Sequence, residues 1–319
     1  EMPIGGVVAT KGVIIPNFVG VDIGCGMCAL KTSLKAEELT EDKKDILLHS
    51  FQRSIPVGFS HNDKKRIALL KQKYQQKVYY IFEKTDVSND THTPVANLDD
   101  AVFEQLGTLG GGNHFIEVQK DETNTVWLMI HSGSRNIGKT VCDYYNDIAR
   151  DTNKEYLSVV PDNIPFLPTS TEDGKSYIIF MDFALRFAFL NRQVMLEDLK
   201  KDMEHVFPNI TFENMINIHH NYASLENHFG ANVWVHRKGA TLASQETVGI
   251  IPGSMGTSSY IVRGLGNKQS YNSCSHGAGR TMGRNDFNKQ FNTEEGLKQI
   301  EESLKDVTHS KFQKDVSRK

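Results

Sequence analysis

The amino-acid sequence predicts an α+β fold, on three observations. Long stretches repeat apolar residues every three to four positions with charges between them. Short runs rich in Val, Ile, Trp and Tyr stand elsewhere, bounded by glycine and serine. The two kinds of segment interleave without the regular strand–helix–strand rhythm of a doubly wound sheet. In chain order, the helical pattern covers residues 36–54 and 64–84. A shorter amphipathic helix follows at 97–106, NLDDAVFEQL, with an acidic first turn that complements the helix dipole. The longest helical pattern, 174–207, is apolar over much of its circumference and so predicts a partly buried helix. TVWLMIHS (125–132), NVWVHRKG (232–239), TVGIIPGS (247–254) and SYIVRG (259–264) read as short strands. No solenoid repeat and no low-complexity linker divides the 319 residues, so 1–319 reads as one domain.

Apolar residues make up 39% of the chain and charged residues 24%, the balance of a soluble globular protein. A net charge of −3 excludes a polybasic nucleic-acid wrapper but not a local basic pocket. Four cysteines are too few for a disulfide framework, so a reducing, cytoplasmic setting is expected. YIIFMDFALRFAFL is broken by Asp182 and Arg186 and is too short to span a membrane. No membrane partner is expected.

The chemistry sits in the glycine clusters. In VGVDIGCGMC, Asp22 and Cys25 can reach one metal, or form a tight turn with buried cysteines at 25 and 28. A redox pair would need a helix starting at Cys25, and Gly26 argues against one. LGTLGGGNHFIEV offers backbone amides to an anion beside Asn113, His114 and Glu117, or is a plain loop before a strand. In MIHSGSRNIG a strand ends at His131, and Arg135 can grip a phosphate bidentately. His219 and His220 point opposite ways in extended backbone, so at most one faces a given metal. Arg237 and Lys238, in HRKGAT, read by themselves as a solvated surface. The serines of IIPGSMGTSSY suit a nucleotide or a simple turn. CSHGAGRTMGR places His276 on bare backbone with Arg280 and Arg284 behind it. Imidazoles with one carboxylate and one thiolate suit Mn²⁺ or Zn²⁺, and paired metals typically clamp phosphoryl transfer.

Taken in order, VGVDIGCGM, LGTLGGGNHFIEV, HSGSRNIG, HHNYA, HRKGA, GIIPGSMGTSSYIVRGLGN and SCSHGAGRTMGR resemble the RtcB family of RNA-splicing and RNA-repair ligases. The resemblance spans roughly residues 5 to 284. It implies one large RtcB-like α+β domain with mixed sheets surrounded by helices. It implies GTP- and Mn²⁺-dependent joining of an RNA 3′-phosphate or 2′,3′-cyclic phosphate to a 5′-hydroxyl, in tRNA splicing or RNA repair. Asp22, Cys25, His114, His131 and His220 would hold two manganese ions, with Cys25 bridging. His276 would attack the α-phosphorus of GTP and carry GMP as a phosphoramidate. The nucleotide pocket would use Asn113, His114, Phe115, Ile116, Glu117, His220, Asn221, Pro252, Gly253, Ser254, Met255, Ser259, Gly277, Ala278 and Gly279. Arg135, Lys238, Arg280 and Arg284 would meet RNA and GTP phosphates.

The resemblance also implies segments before EMPIGG and after the His276 motif that this sequence lacks. A chain without them would bind GTP less well. The alternative is a dinuclear metal phosphodiesterase or cyclic phosphatase that uses the same ligands without ligating. A non-catalytic RNA-binding scaffold and a cysteine redox protein are further alternatives; the intact ligand set opposes the first.

Overall fold

A computed structural model of the protein describes residues 4–89, 93–161, 163–213, 215–277, 279, 282 and 284–309. The chain opens with β1 (Gly6–Thr10), β2 (Val13–Ile14) and the short helix α1 (Pro16–Val19). Then come β3 (Gly26–Lys35) and helices α2 (Glu41–Ser54), α3 (Lys64–Thr85) and α4 (Leu98–Gln105). The hairpin β4 (Phe115–Lys120) and β5 (Thr125–Ser132) leads into α5 (Arg135–Glu155). After β6 (Leu167–Pro168), α6 (Glu172–Val206) runs 35 residues. The second half is mostly strand: β7 (Ile216–His219), β8 (Asn221–His228), β9 (Ala231–Lys238), β10 (Ala240–Leu242), β11 (Val248–Ile251), β12 (Tyr260–Arg263) and β13 (Ser273–Ser275). Helices α7 (Arg284–Phe291) and α8 (Glu294–Ser303) follow.

Antiparallel sheets with helices interleaved in no regular βαβ rhythm make this an α+β fold. The helix expected over 36–54 is two pieces. A 3₁₀ turn, Ala36–Glu38, precedes α2, which starts afresh at Thr40, an extended N-cap residue followed by acidic Glu41 and Asp42. The strand expected over 247–254 stops at Ile251 because Pro252 has no N–H to give a ladder. None of the described helices is long and apolar enough to cross a membrane.

Helix α6 is the spine. Its Phe180, Phe183 and Phe187 pack with Tyr145 and Val141 of α5 and with Tyr74 and Val78 of α3. Two turns further on, Met195, Leu199 and Met203 cover Leu30, Leu128 and Ile130 of the sheet and meet Leu47 and Phe51 of α2. Each fully buried side chain of this size contributes about 1.5–3 kcal/mol. Cys28 joins the second cluster from strand backbone, so Cys25 and Cys28 do not open a helix, and all four cysteines are free.

Sheet topology sets the site. The central sheet runs β4-β5-β3-β7, antiparallel throughout, with Gly26 opposite both Ser132 and His219, and Phe115 opposite His131. Strands β3 and β4 therefore begin at the edge where β5 and β7 end. Cys25 precedes β3, His114 precedes β4, His131 closes β5 and His220 follows β7. A second sheet, β1-β9-β8, pairs Asn221 with Lys238, and the β10-β13 pair sets Ala240 opposite Ser275. His276 is thereby carried to the same edge.

Candidate active site

Five side chains converge there. Cys25 Sγ lies 3.4 Å from His114 Nε2 and 3.2 Å from His131 Nε2. Asp22 Oδ2 stands 2.8 Å from His114 Nε2, and His220 Nε2 stands 3.2 Å from His131 Nε2. Cys25 thus sits between one Asp–His pair and one His–His pair. The nearest donor atoms of Cys25, His114 and His131 all lie within 4.8 Å of one another. His219, its neighbour's mirror on the strand, points away and accepts from Arg192 Nη2 at 3.1 Å.

Backbone carbonyls fix the tautomers. His114 Nδ1 donates to Leu109 O and His131 Nδ1 to Asn113 O, each at 2.9 Å. A carbonyl can only accept, so Nδ1 carries a proton in both rings and Nε2 is the atom turned toward the cluster. Asp22 Oδ1 and His220 Nδ1 are buried without a hydrogen-bond partner. Lone pairs, a carboxylate and a thiol aimed at one small volume fit a divalent cation, and the mixed donor set suits Mn²⁺ or Zn²⁺.

Burial acts on each group in turn. It opposes the charge on Asp22, but the His114 ring beside it more than offsets this and holds the carboxyl below its usual range. Burial, then the Asp22 charge, pushes the Cys25 thiol well up, so a metal must displace its proton. Burial pulls His131 down to about 3 and His220 well below the ordinary value, so both rings are neutral ligands at neutral pH.

The depressed histidines make the metal-free protein acid-sensitive. His131 and His219 titrate at about 3 and His236 at about 4, chiefly through burial. In the unfolded chain each titrates at about 6.5, so there the unfolded state holds more protons. Stability is full above about pH 6.5 and falls toward pH 4 by up to ~1.4 kcal/mol per pH unit for each histidine. Urea midpoints at about pH 7.5 and about pH 5 measure this, and equal midpoints contradict it.

His276 stands beside the cluster. Its ring packs against the His220 ring at a 55° tilt with centroids 4.4 Å apart, and its Nδ1 is buried without a partner. Burial lowers its pKa, so the imidazole is neutral. Gly239, at φ +65°, donates from its N–H to Asn221 Oδ1, and its carbonyl accepts from His276 N at 3.2 Å. A methyl group at Gly239 would come within 2.8 Å of His276 Cε1, which explains the absence of a side chain there. Gly133 is a second such place: a methyl group there would sit 2.1 Å from Asp22 Oδ1. If the cluster holds a divalent metal, Gly133→Ala is expected to displace that carboxylate and weaken its binding roughly 10–100-fold with the fold retained, measured by metal titration beside circular dichroism.

A second group gathers around Glu117. Gln119 Nε2 donates to Glu117 Oε2 at 2.5 Å and to Ser259 Oγ at 3.3 Å, and Ser259 Oγ accepts from Gly253 N at 3.1 Å. Burial raises the Glu117 pKa. Phe115, on the same face of β4, meets the His131 ring edge-on at 5.4 Å. A methyl group at Gly277 would lie 3.8 Å from Pro252 O, so the His276 turn and the 252–259 turn are neighbours. Together these residues line a path from His276 to Glu117.

Other expected contacts are placed differently. Ile116 alternates to the opposite face of β4 and packs into the core beside Val118, so its side chain is turned from Phe115 and Glu117. Asn221 spends its amide on the backbone, donating to Asp22 O at 3.1 Å and accepting from Gly239 N at 2.8 Å. Arg135 donates from Nε to Thr108 Oγ1 and from Nη2 to Gly58 O, which ties two loops beside His114. Lys238 Nζ donates to Asn17 O. Ser254 and Met255 lie in the turn after β11, where Ser254 N donates to Thr257 Oγ1. Gly279 is exposed at φ +79°. Ala278 and Arg280 lie outside the described residues, and Arg284 is described only as the first backbone residue of α7. Arg237 is no surface residue: it is fully buried, paired with Glu226 and bonded to Ser273 Oγ and Tyr271 O.

Two residues at the site carry no sequence motif. Asn191 and Arg192 of α6 are both fully buried against the loops that bear the convergent side chains. The available signal was a run of three polar residues, Asn191, Arg192 and Gln193, inside the mostly apolar stretch FALRFAFLNRQVML.

Known proteins resemble the chain over nearly its whole length. A family model described as "tRNA-splicing ligase RtcB" matches residues 1–317. The "RNA-splicing ligase RtcB" of Escherichia coli K12 is 39% identical over 322 residues, covering 98% of this chain and 77% of that protein. The "tRNA-splicing ligase RtcB" of Methanococcus maripaludis is 32% identical over 339 residues, covering 88% and 70%. That of Thermococcus kodakarensis is 31% identical over 347 residues, covering 91% and 72%. With its length matched end to end and its glycine-rich turns converging on one sheet edge, this chain belongs to the RtcB family.

Proposed function

We propose that this protein is an RNA ligase that joins a 3′-phosphate or 2′,3′-cyclic phosphate end to a 5′-hydroxyl, consuming GTP through a guanylylated His276. The observation that supports it most is the neutral His276 ring, its Nδ1 without a partner, packed at a tilt against His220 beside the five-residue cluster. Residues 1–319 would act as one catalytic unit.

In this reading Asp22, Cys25, His114, His131 and His220 would hold two Mn²⁺ ions. Bound there, the ions supply positive charge against phosphoryl oxygens. The protein's own groups do the rest. A neutral His276 nitrogen attacks the α-phosphorus of GTP, forming a P–N bond as pyrophosphate leaves with its electron pair. Only glycine flanks the ring at Gly239 and Gly277, so a triphosphate can approach. Glu117 and Ser259 present an acceptor and a hydroxyl to the guanine edge, and Phe115 bounds the pocket. An RNA 3′-phosphate oxygen next attacks the GMP phosphorus and releases His276. The 5′-hydroxyl then attacks the activated 3′-phosphorus and GMP departs. Activation is needed because a phosphate monoester dianion repels nucleophiles and offers no good leaving group.

The test is incubation with α-labelled GTP and Mn²⁺, beside oligonucleotides with 3′-phosphate and 5′-hydroxyl ends. A covalent label that is acid-labile and alkali-stable, with joined product, is expected. A metal-loaded protein that takes no label yet opens cyclic phosphates would overturn ligation in favour of a phosphodiesterase.

A further inference from the structure

The central part of α6 carries an unusual pair. Arg192 is fully buried, and no carboxylate lies within ion-pair distance of it among the described residues. Burying an unpaired cation is costly, so something specific must repay it. What surrounds the guanidinium is a ring of acceptors. Nη1 donates to Gly24 O and to Ser132 O, both at 2.8 Å. Nε donates to Asn217 Oδ1 at 2.7 Å, and Nη2 to His219 Nδ1 at 3.1 Å. Gly24 adjoins Cys25, Ser132 adjoins His131, and Asn217 and His219 lead into His220. One planar fork of donors ties together three strand ends that offer only acceptors.

Asn191 serves the remaining segment. Its Oδ1 accepts from Gly107 N at 2.7 Å and Thr108 N at 3.2 Å. Its Nδ2 donates to Thr108 O at 3.1 Å and Gly133 O at 3.2 Å. The loop so held ends at Leu109, whose carbonyl accepts from both Ser132 Oγ at 2.8 Å and His114 Nδ1. The ring orientation of His114 is therefore set through Asn191.

We infer that Asn191 and Arg192 are positioning residues that hold Cys25, His114, His131 and His220 in register for the metal, independently of their contribution to folding. This rests on the reading of the cluster as a divalent-metal site. Groups that hold ligands in place typically change metal affinity roughly 10–100-fold when removed.

The probe is Co²⁺ alone, titrated into the metal-free full chain and followed by its visible bands and its thiolate charge-transfer band. Wild type is expected to bind with both. Arg192→Gln is expected to weaken binding roughly 10–100-fold and to shift or lose the charge-transfer band. Arg237→Gln is the matched control: it removes an equally buried guanidinium that touches no ligand-bearing strand end, so it should lower thermal stability and leave the cobalt spectrum unchanged. If Arg192→Gln does not fold, Arg192→Lys decides, because it keeps the charge but cannot reach four acceptors at once. An unchanged affinity and spectrum in the folded Arg192 variant, or an equal loss in Arg237→Gln, overturns the inference while the metal reading stands. No cobalt binding by wild type overturns the metal reading, and the inference with it.

Discussion

If the proposed function holds, His276→Ala is expected to lower guanylylation and strand joining by at least about 10⁴-fold, with the fold and metal binding retained. The size follows from the absence of a substitute. Once the ring is gone, the neighbouring imidazoles are committed or enclosed: His131 Nε2 faces Cys25 Sγ and His220 Nε2, and the partnerless His220 Nδ1 lies on a ring only 2% exposed. The retention of the fold follows from how little the side chain does for it. The backbone hydrogen bond from His276 N to Gly239 O survives in alanine, and the ring itself contributes one ring contact and a partnerless Nδ1. Covalent labelling with α-labelled GTP, run beside metal content and thermal melting, measures all three. Persistent labelling in the variant would move the nucleophile elsewhere.

Cys25→Ala is expected to act one step earlier, on the metal. Cys25 Sγ is the atom common to both halves of the cluster, at 3.4 Å and 3.2 Å from the two flanking rings. Its removal leaves each half with an incomplete ligand set. Metal affinity should fall by roughly 10³-fold or more and activity with it, given how much of the binding energy a thiolate supplies. The proton balance gives a second measurement. Burial and the Asp22 charge keep the thiol protonated in the metal-free protein. Metal binding therefore expels that proton, and wild-type affinity should fall about tenfold for each pH unit below neutrality. In Cys25→Ala that part of the pH dependence disappears. Calorimetry in buffers of different ionisation enthalpy reads the proton directly, and an unchanged release in the variant would assign it to another group.

The α+β class and the long helices were legible because they depend on local periodicity. The spine α6 shows it over 35 residues. Helix α5 shows it too, through Ile137, Val141, Tyr145 and Ala149 on one face, but Asn, Asp and Lys between them hide it from a composition-led reading. Strand β3 escapes because it starts in a glycine turn and carries Lys31 and Lys35. Strand alternation sends Ile116 to the core while Phe115 and Glu117 face the pocket, a division that a motif read as a block does not make.

By itself, the sequence determined which residue types were available for chemistry: histidines, one aspartate and one cysteine set in glycine-rich turns, too unusual for packing. It also carried the family, since those motifs recur in order. Only the tertiary structure decided which of them meet. Antiparallel register brings two strand starts and two strand ends to one edge, and register depends on pairings between residues as far apart as Gly26 and His219. Only the tertiary structure separated Arg237, a buried tie, from a surface charge, and found Asn191 and Arg192 at all. Their role lies in carbonyls contributed by remote loops, and a backbone acceptor leaves no mark on the residue that supplies it.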